Sequence, residues 1–235
     1  SFSAMDLVTY LYLEVLNVRD VGLGSPDRDV YFSSKGHDVP GLYAVLFALG
    51  VLTREQLLAL RRFGGLDGHP DLHVPGIEAN SGSLGMGISK GKGMAWAKRH
   101  LGLMGEVFVL TGDGELQEGQ VYEALLTARQ QRLDNLTVIV DHNKVQSNRP
   151  VAEIVAVNDL AATLSSFGWQ VARCDGHDLR AVEASLARMR AVGGGPRLLI
   201  ADTIKGKGVS FMEHPRALTD GGGLYAWHAG APDDQ

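Results

Sequence analysis

The chain has 235 residues, 45% of them apolar, and a net charge of -5 from 22 basic and 27 acidic side chains. That length suits one large domain with a substantial core, and the mild negative balance, with no basic stripe, lacks the electrostatic footprint of a nucleic-acid binder. A single cysteine, Cys174, excludes an intrachain disulfide framework and favours a reducing, cytoplasmic setting, and no apolar run approaches the ~20 residues of a membrane span.

From the N-terminus, Met5, Leu7, Val8, Leu11, Tyr12, Val15 and Leu16 recur at helical spacing and predict a helix over 5–16. Residues 38–49 read as a small apolar helix. Residues 53–62 read as another, entered through a capping box of Thr53 and Gln56. A Gly- and Ala-rich helix over 85–100 follows. Four apolar runs of strand length come next, at 107–110, 136–140, 169–172 and 198–201, separated by helical patterns over 118–131, 158–167 and 178–192. Short strands alternating with helices predict an α/β fold, a mainly parallel sheet with helices on both faces. Residues 1–235 read as a single domain whose segment from about 205 to 235, rich in Gly, His and Pro, is an irregular tail.

Asp113 stands between Gly112 and Gly114 just beyond the run 107–110, and Asn143 just beyond the run 136–140. One helix separates these two strands, so they are expected to be parallel neighbours. Both polar groups then emerge at the carboxyl edge of the sheet, where open α/β sheets bind ligands. A carboxylate and an amide oxygen suit a hard cation such as Mg²⁺, with phosphates and water completing the octahedron. The glycines flanking Asp113 let a diphosphate reach backbone N–H groups. Asp-Gly and Asn-Lys are also ordinary turn residues, so a plain loop stays open for each motif alone. The loop 82–87 has the spacing G-x-x-G-x-G rather than the dinucleotide G-x-G-x-x-G, and reads as an anion site or a close-packed helix start. His37 and His69 lie in Gly-His contexts on loops, where an imidazole can donate and accept protons near neutral pH or simply sit in solvent.

The string Gly112-Asp113-Gly114-Glu115-Leu116-Gln117-Glu118-Gly119-Gln120, followed by Asn143, resembles the thiamine-diphosphate motif of transketolases. Further blocks agree in order: Ser34-Lys35-Gly36-His37, Gly68-His69-Pro70, Gly82-Ser83-Leu84-Gly85-Met86-Gly87, Leu133-Asp134-Asn135-Leu136, Asp175-Gly176-His177-Asp178, and Lys205-Gly206-Lys207-Gly208-Val209. The resemblance spans nearly the whole chain and implies the diphosphate-binding domain of a thiamine diphosphate enzyme. Mg²⁺, or another divalent cation such as Ca²⁺ or Mn²⁺, would be held by Asp113, Asn143 and the carbonyl of Val145. Gly112 and Gly114 would lie against the diphosphate and Gly82, Ser83 and Leu84 beside the thiamine rings. Glu118 would stand between two thiamine sites at an interface, and Ile204 against the cofactor or in the core. His37 and His69 would meet the hydroxyls of the donor sugar. His228 would lie near the diphosphate, although Ala229 intervenes before Gly230 and His214 competes for the role. His177 reads as structural, in a turn before a helix.

Full-length transketolases are far longer and carry, on a second domain, the glutamate that activates the aminopyrimidine. No candidate for it stands in this chain. The resemblance therefore implies the N-terminal subunit of a split transketolase, self-associating and joined by a separate pyrimidine-binding subunit into a heterotetramer. The assembly would move a two-carbon ketol unit from a ketose, often phosphorylated, to an aldose. A fragment of a single-chain enzyme is the alternative, and a Gly-His-x-Gly segment is expected just before Ser1. The rivals are deoxyxylulose-phosphate or dihydroxyacetone synthesis, the first opposed by Gln117-Glu118-Gly119, and a non-catalytic module that binds cofactor or partner.

Overall fold

A computed structural model describes residues 1–157 and 159–228. Among them the strands are β1 (Val30–Ser33), β2 (Val107–Gly112), β3 (Leu136–His142), β4 (Val145–Gln146), β5 (Arg149–Pro150), β6 (Gln170–Asp175) and β7 (Arg197–Asp202). The helices are α1 (Met5–Tyr10), α2 (Val18–Val21), α3 (Val39–Ala48), α4 (Arg54–Leu58), α5 (Gly87–His100), α6 (Gly119–Gln130), α7 (Val151–Ile154), α8 (Leu160–Ser166), α9 (Leu179–Val192) and α10 (Arg216–Asp220). Five strands form one parallel sheet in the order β1-β2-β3-β7-β6. β4 and β5 make a small antiparallel hairpin just beyond β3.

The central strands are apolar on both faces because both faces are covered. Phe108, Leu110, Ile139 and Leu199 pack with α1, α3 and α9. Val107, Val109, Val138, Val140, Leu198 and Ile200 pack with α5, α6 and α8 on the other side. Each is fully removed from solvent, a burial that stabilises by roughly 1.5–3 kcal/mol per large aliphatic side chain. The register sets Gly112 of β2 against Asp141 of β3, so the loops carrying Asp113 and Asn143 leave the sheet side by side.

Some elements differ from the sequence reading. β1 has only four residues, too short for a periodic signal, yet it pairs along its whole length with β2 and delivers the loop that holds His37. The segment 5–16 begins as α1 and continues as a π-helical turn over Leu11–Val15. α4 keeps the expected capping box of Thr53 and Gln56 but stops at Leu58, and Arg61 soon after takes a φ of 59°. In the segment read as an irregular tail, α10 and Tyr225 pack on Val145. The context Ala229-Gly230-Ala231-Pro232 lies outside the described residues, as does Asn158.

Candidate cofactor site at the carboxyl edge of the sheet

A cleft of about 460 Å³ opens where β2 and β3 end. Its walls include Lys35, His37, Leu84, Asp113, Gly114, Asn143, Val145, Lys205 and His228. Asp113 is buried at 6% exposure, and no cationic side chain forms an ion pair with it among the described residues. Its Oδ2 accepts the N–H of Lys144 at 2.6 Å and its Oδ1 the N–H of Gly114 at 2.8 Å. Burial raises its pKa first, and the charge of Asp141 adds to that, while the two N–H groups oppose. A buried carboxylate without a countercharge is costly unless a cation joins it.

Lys144 reaches Asp113 by taking a φ of 68°, a left-handed conformation that non-glycine residues rarely hold. That turn sets Asn143 and Val145 on either side of it. The Asn143 side chain is oriented at both ends: Nδ2 donates to Asp141 Oδ2 at 3.2 Å and Oδ1 accepts from Val145 N–H at 3.1 Å. The Val145 carbonyl accepts from Lys205 Nζ at 3.2 Å. A carboxylate, an amide and a backbone carbonyl thus line one cleft, and hard oxygens of these kinds suit Mg²⁺.

The cleft also holds a cationic group, beside the Val145 carbonyl itself. Lys205 follows β7, and its Nζ meets the Val145 and Ser147 carbonyls and His228 Nδ1, with no carboxylate within ion-pair reach among the described residues. Burial, then the charge of Lys35, lowers its pKa to about 8. A buried carboxylate with open lone pairs, sharing a cleft with an ammonium without a carboxylate partner, fits a metal bound to an anionic diphosphate. Lys35 is a different case. It donates to Asp141 at 2.6 Å and lies 3.3 Å from Asp38, and although burial opposes its charge, the two carboxylates raise its pKa on balance. Asp141 also accepts from Ser3 at 2.7 Å and from Thr203, and is held well below the usual carboxylate range.

His37 and His228 face one another with ring centroids 4.9 Å apart. Burial, with nearby lysine charge, lowers each to about 4, so both are neutral imidazoles at pH 7. His37 Nδ1 lies 3.1 Å from the Lys35 carbonyl and so carries the proton there. His228, and not His214, lines the cleft. His69 is exposed and stands outside the cleft walls, against Gly82, where a Cβ would meet its ring at 2.6 Å. Ser83 is exposed beside it, and only Leu84 of this loop reaches the cleft. Glu118 caps the start of α6 in solvent, and Ile204 is half-buried; neither lines the cleft. The Ile204 N–H donates to His177 Nε2 at 2.9 Å, whose Nδ1 is bound to Asp6, so His177 ties the strand-end segment down.

Lys35, Lys205 and Glu115 are among the cleft residues that escape the sequence reading. Each lies inside one of the transketolase-like motif blocks. The available signal is a charged residue beside glycine immediately after a strand, a position that points into the carboxyl edge.

A parallel α/β sheet that gathers Asp113, Asn143, the Val145 carbonyl and Lys205 in one cleft at its carboxyl edge defines the class of α/β proteins that bind ligands at that edge. The family described as "Transketolase, thiamine diphosphate binding domain" matches residues 1–218, and the chain belongs to it. It is 37% identical over 231 residues to an apulose-4-phosphate transketolase subunit from Phocaeicola vulgatus, covering 98% of this chain and 79% of that one. It is 36% identical to the 6-deoxy-6-sulfo-D-fructose transketolase subunit of a Clostridium species, covering 91% and 78%. Among solved structures, the transketolase from Leishmania mexicana superposes with a TM-score of 0.79 at 30% identity, over 86% of this chain and 32% of that one. The chain therefore spans most of the length of these subunit relatives but about a third of the single-chain enzyme. Thiamine diphosphate with a divalent cation is the cofactor of the family. No described helix is long and apolar enough to cross a membrane.

Proposed function

We propose that this chain is the metal- and diphosphate-holding subunit of a split transketolase, working with a second, pyrimidine-binding subunit. The observation that carries the reading is the joining of both charges in one cleft: buried Asp113 with Asn143 and the Val145 carbonyl, and Lys205 beside that carbonyl. Asp113, Asn143 and Val145 would hold Mg²⁺, and Gly112, Gly114 and Lys205 the diphosphate. When bound, thiamine diphosphate supplies a stabilised carbanion for breaking and making the carbon–carbon bond. The chain's own residues bind and orient the reactants. His37 and His228 face one another on the cleft wall, where their imidazoles would hydrogen-bond the hydroxyls of a bound sugar. His69, Gly82, Ser83, Leu84, Glu118 and Ile204 flank this centre and face the second subunit or the substrate entry.

The substrates would be a ketose donor and an aldose acceptor, commonly phosphorylated. The subunit designation of the bacterial relatives supports a heteromeric assembly, which we read as a heterotetramer built on two copies of this chain. The lone Cys174 supports a cytoplasmic setting. The test is reconstitution. The chain, with the subunit that co-purifies with it, should transfer a ketol unit from a ketose phosphate to an aldose phosphate when given Mg²⁺ and thiamine diphosphate, and stop with EDTA. A complete assembly that binds the cofactor but transfers nothing, whatever sugar is supplied, would leave only a binding module.

A further inference from the structure

Glu115 is a buried carboxylate at 3% exposure, two residues past Asp113, and it is hydrogen-bonded to two loops and to the end of β2. Its Oε1 accepts the Gly85 N–H at 2.8 Å and the hydroxyl of Ser34. Its Oε2 accepts the Thr111 hydroxyl at 2.7 Å and the Gly112 N–H at 3.2 Å. The Ser34 hydroxyl in turn accepts the N–H of Gly87, the first residue of α5, at 3.0 Å. Ser34 opens the loop that carries Lys35 and His37 into the cleft. Gly85 belongs to the loop that carries Leu84 there, and turns with a φ of 80° so that its N–H can aim at the carboxylate. Gly112 and Thr111 end β2, directly before Asp113. All four donors are neutral, and no cation pairs with Glu115 among the described residues.

We propose that Glu115 is a positioning residue that fixes the His37 loop and the Leu84 loop against the metal loop, so that metal, diphosphate and substrate groups meet at one place. This deepens the transketolase reading and rests on it. The chemistry demands a carboxylate. Each oxygen faces a backbone N–H, which can only donate, so both oxygens must be acceptors. A glutamine has the same shape but only one acceptor end. Whichever way its amide turns, its NH₂ faces either Gly85 N–H or Gly112 N–H, donor against donor, and one loop is released.

The test compares wild type, Glu115→Gln and Asp113→Ala in the native assembly. The readouts are thiamine diphosphate affinity with Mg²⁺ by calorimetry and backbone hydrogen exchange. Glu115→Gln should weaken cofactor binding at least tenfold. It should also speed exchange in residues 82–88 or 111–115, with β3 and β7 unchanged. Wild-type affinity in a folded Glu115→Gln protein overturns the proposal, as does faster exchange spread evenly over the sheet, which marks a general loss of stability. If that variant does not fold, Ser34→Ala removes one donor only. It should speed exchange at Gly87 and weaken the cofactor by a few-fold, and no change in either overturns the proposal. Absence of cofactor binding in wild type and Asp113→Ala alike would sink the thiamine reading instead, and the exchange comparison would still decide whether Glu115 holds the loops.

Discussion

The two ends of the sheet treat charge in opposite ways. At the amino end, charges are matched within the chain. Glu106 takes Arg190 at 2.5 Å and the buried Arg197, and Arg28 takes Glu78 at 2.7 Å; Lys98 is the exception, held by the carbonyls of Pro26, Arg28 and Met104. At the carboxyl end Lys35 is matched with Asp141 and Asp38, but Asp113 and Lys205 stand in the same cleft without an opposite charge bonded to either. Burying a charge without its partner costs free energy that folding alone does not return. The amino end is therefore built for stability and the carboxyl end for a ligand that brings both missing charges.

The sharpest way to break that contrast is at Asp113. Asp113→Asn should lower Mg²⁺-dependent thiamine diphosphate affinity by more than a hundredfold, measured by calorimetry, yet change the stability of the cofactor-free protein by no more than ~1 kcal/mol, since losing a buried uncompensated charge offsets an amide NH₂ that must face the N–H of Lys144 or Gly114. Loss of binding together with a large loss of stability would mean that the carboxylate is structural. Glu106→Gln should do the reverse. It leaves Arg197, whose side chain is 6% exposed, short of its partner. The expected cost is roughly 2 kcal/mol in urea unfolding, less than the ~3–5 kcal/mol of a fully buried pair because Glu106 is partly exposed, with cofactor affinity unchanged.

Lys205→Met probes the cationic group. It should weaken the cofactor about tenfold, ~1.4 kcal/mol, the scale of one charge-assisted hydrogen bond, and equal affinity in wild type and variant would remove Lys205 from the site. The smallest expected effect concerns pH. His37 is lowered from 6.5 to about 4 by burial and the Lys35 charge. The unfolded chain therefore binds more protons between those values, and stability falls as pH drops through that window. His37→Asn should make the dependence of melting temperature on pH between about 6.5 and 4 shallower, with His228, lowered to the same extent, retaining its share. Parallel curves would show that the imidazole titrates as it does in the unfolded chain.

The central strands, the helices around them and the Asp113–Asn143 pairing were legible in the sequence, because a parallel sheet covered on both faces needs long apolar runs and a ligand edge needs polar groups just after them. That the Asp113 and Asn143 loops leave the sheet side by side was legible for the same reason: it follows from one crossover. Other features depend on groups far apart in the chain. β1 is visible only through its pairing with β2, since four residues carry no period. Glu115 looks like a solvated helix-start acid until Ser34 and Gly85 fold onto it from 81 and 30 residues away. His37 and His228 form one pair across nearly the whole chain, and their lowered proton affinity comes from burial and lysine neighbours that no local pattern records. Sequence periodicity reports which face of an element is apolar. Which charges end up without a partner is decided only when the loops from different strands meet at one edge.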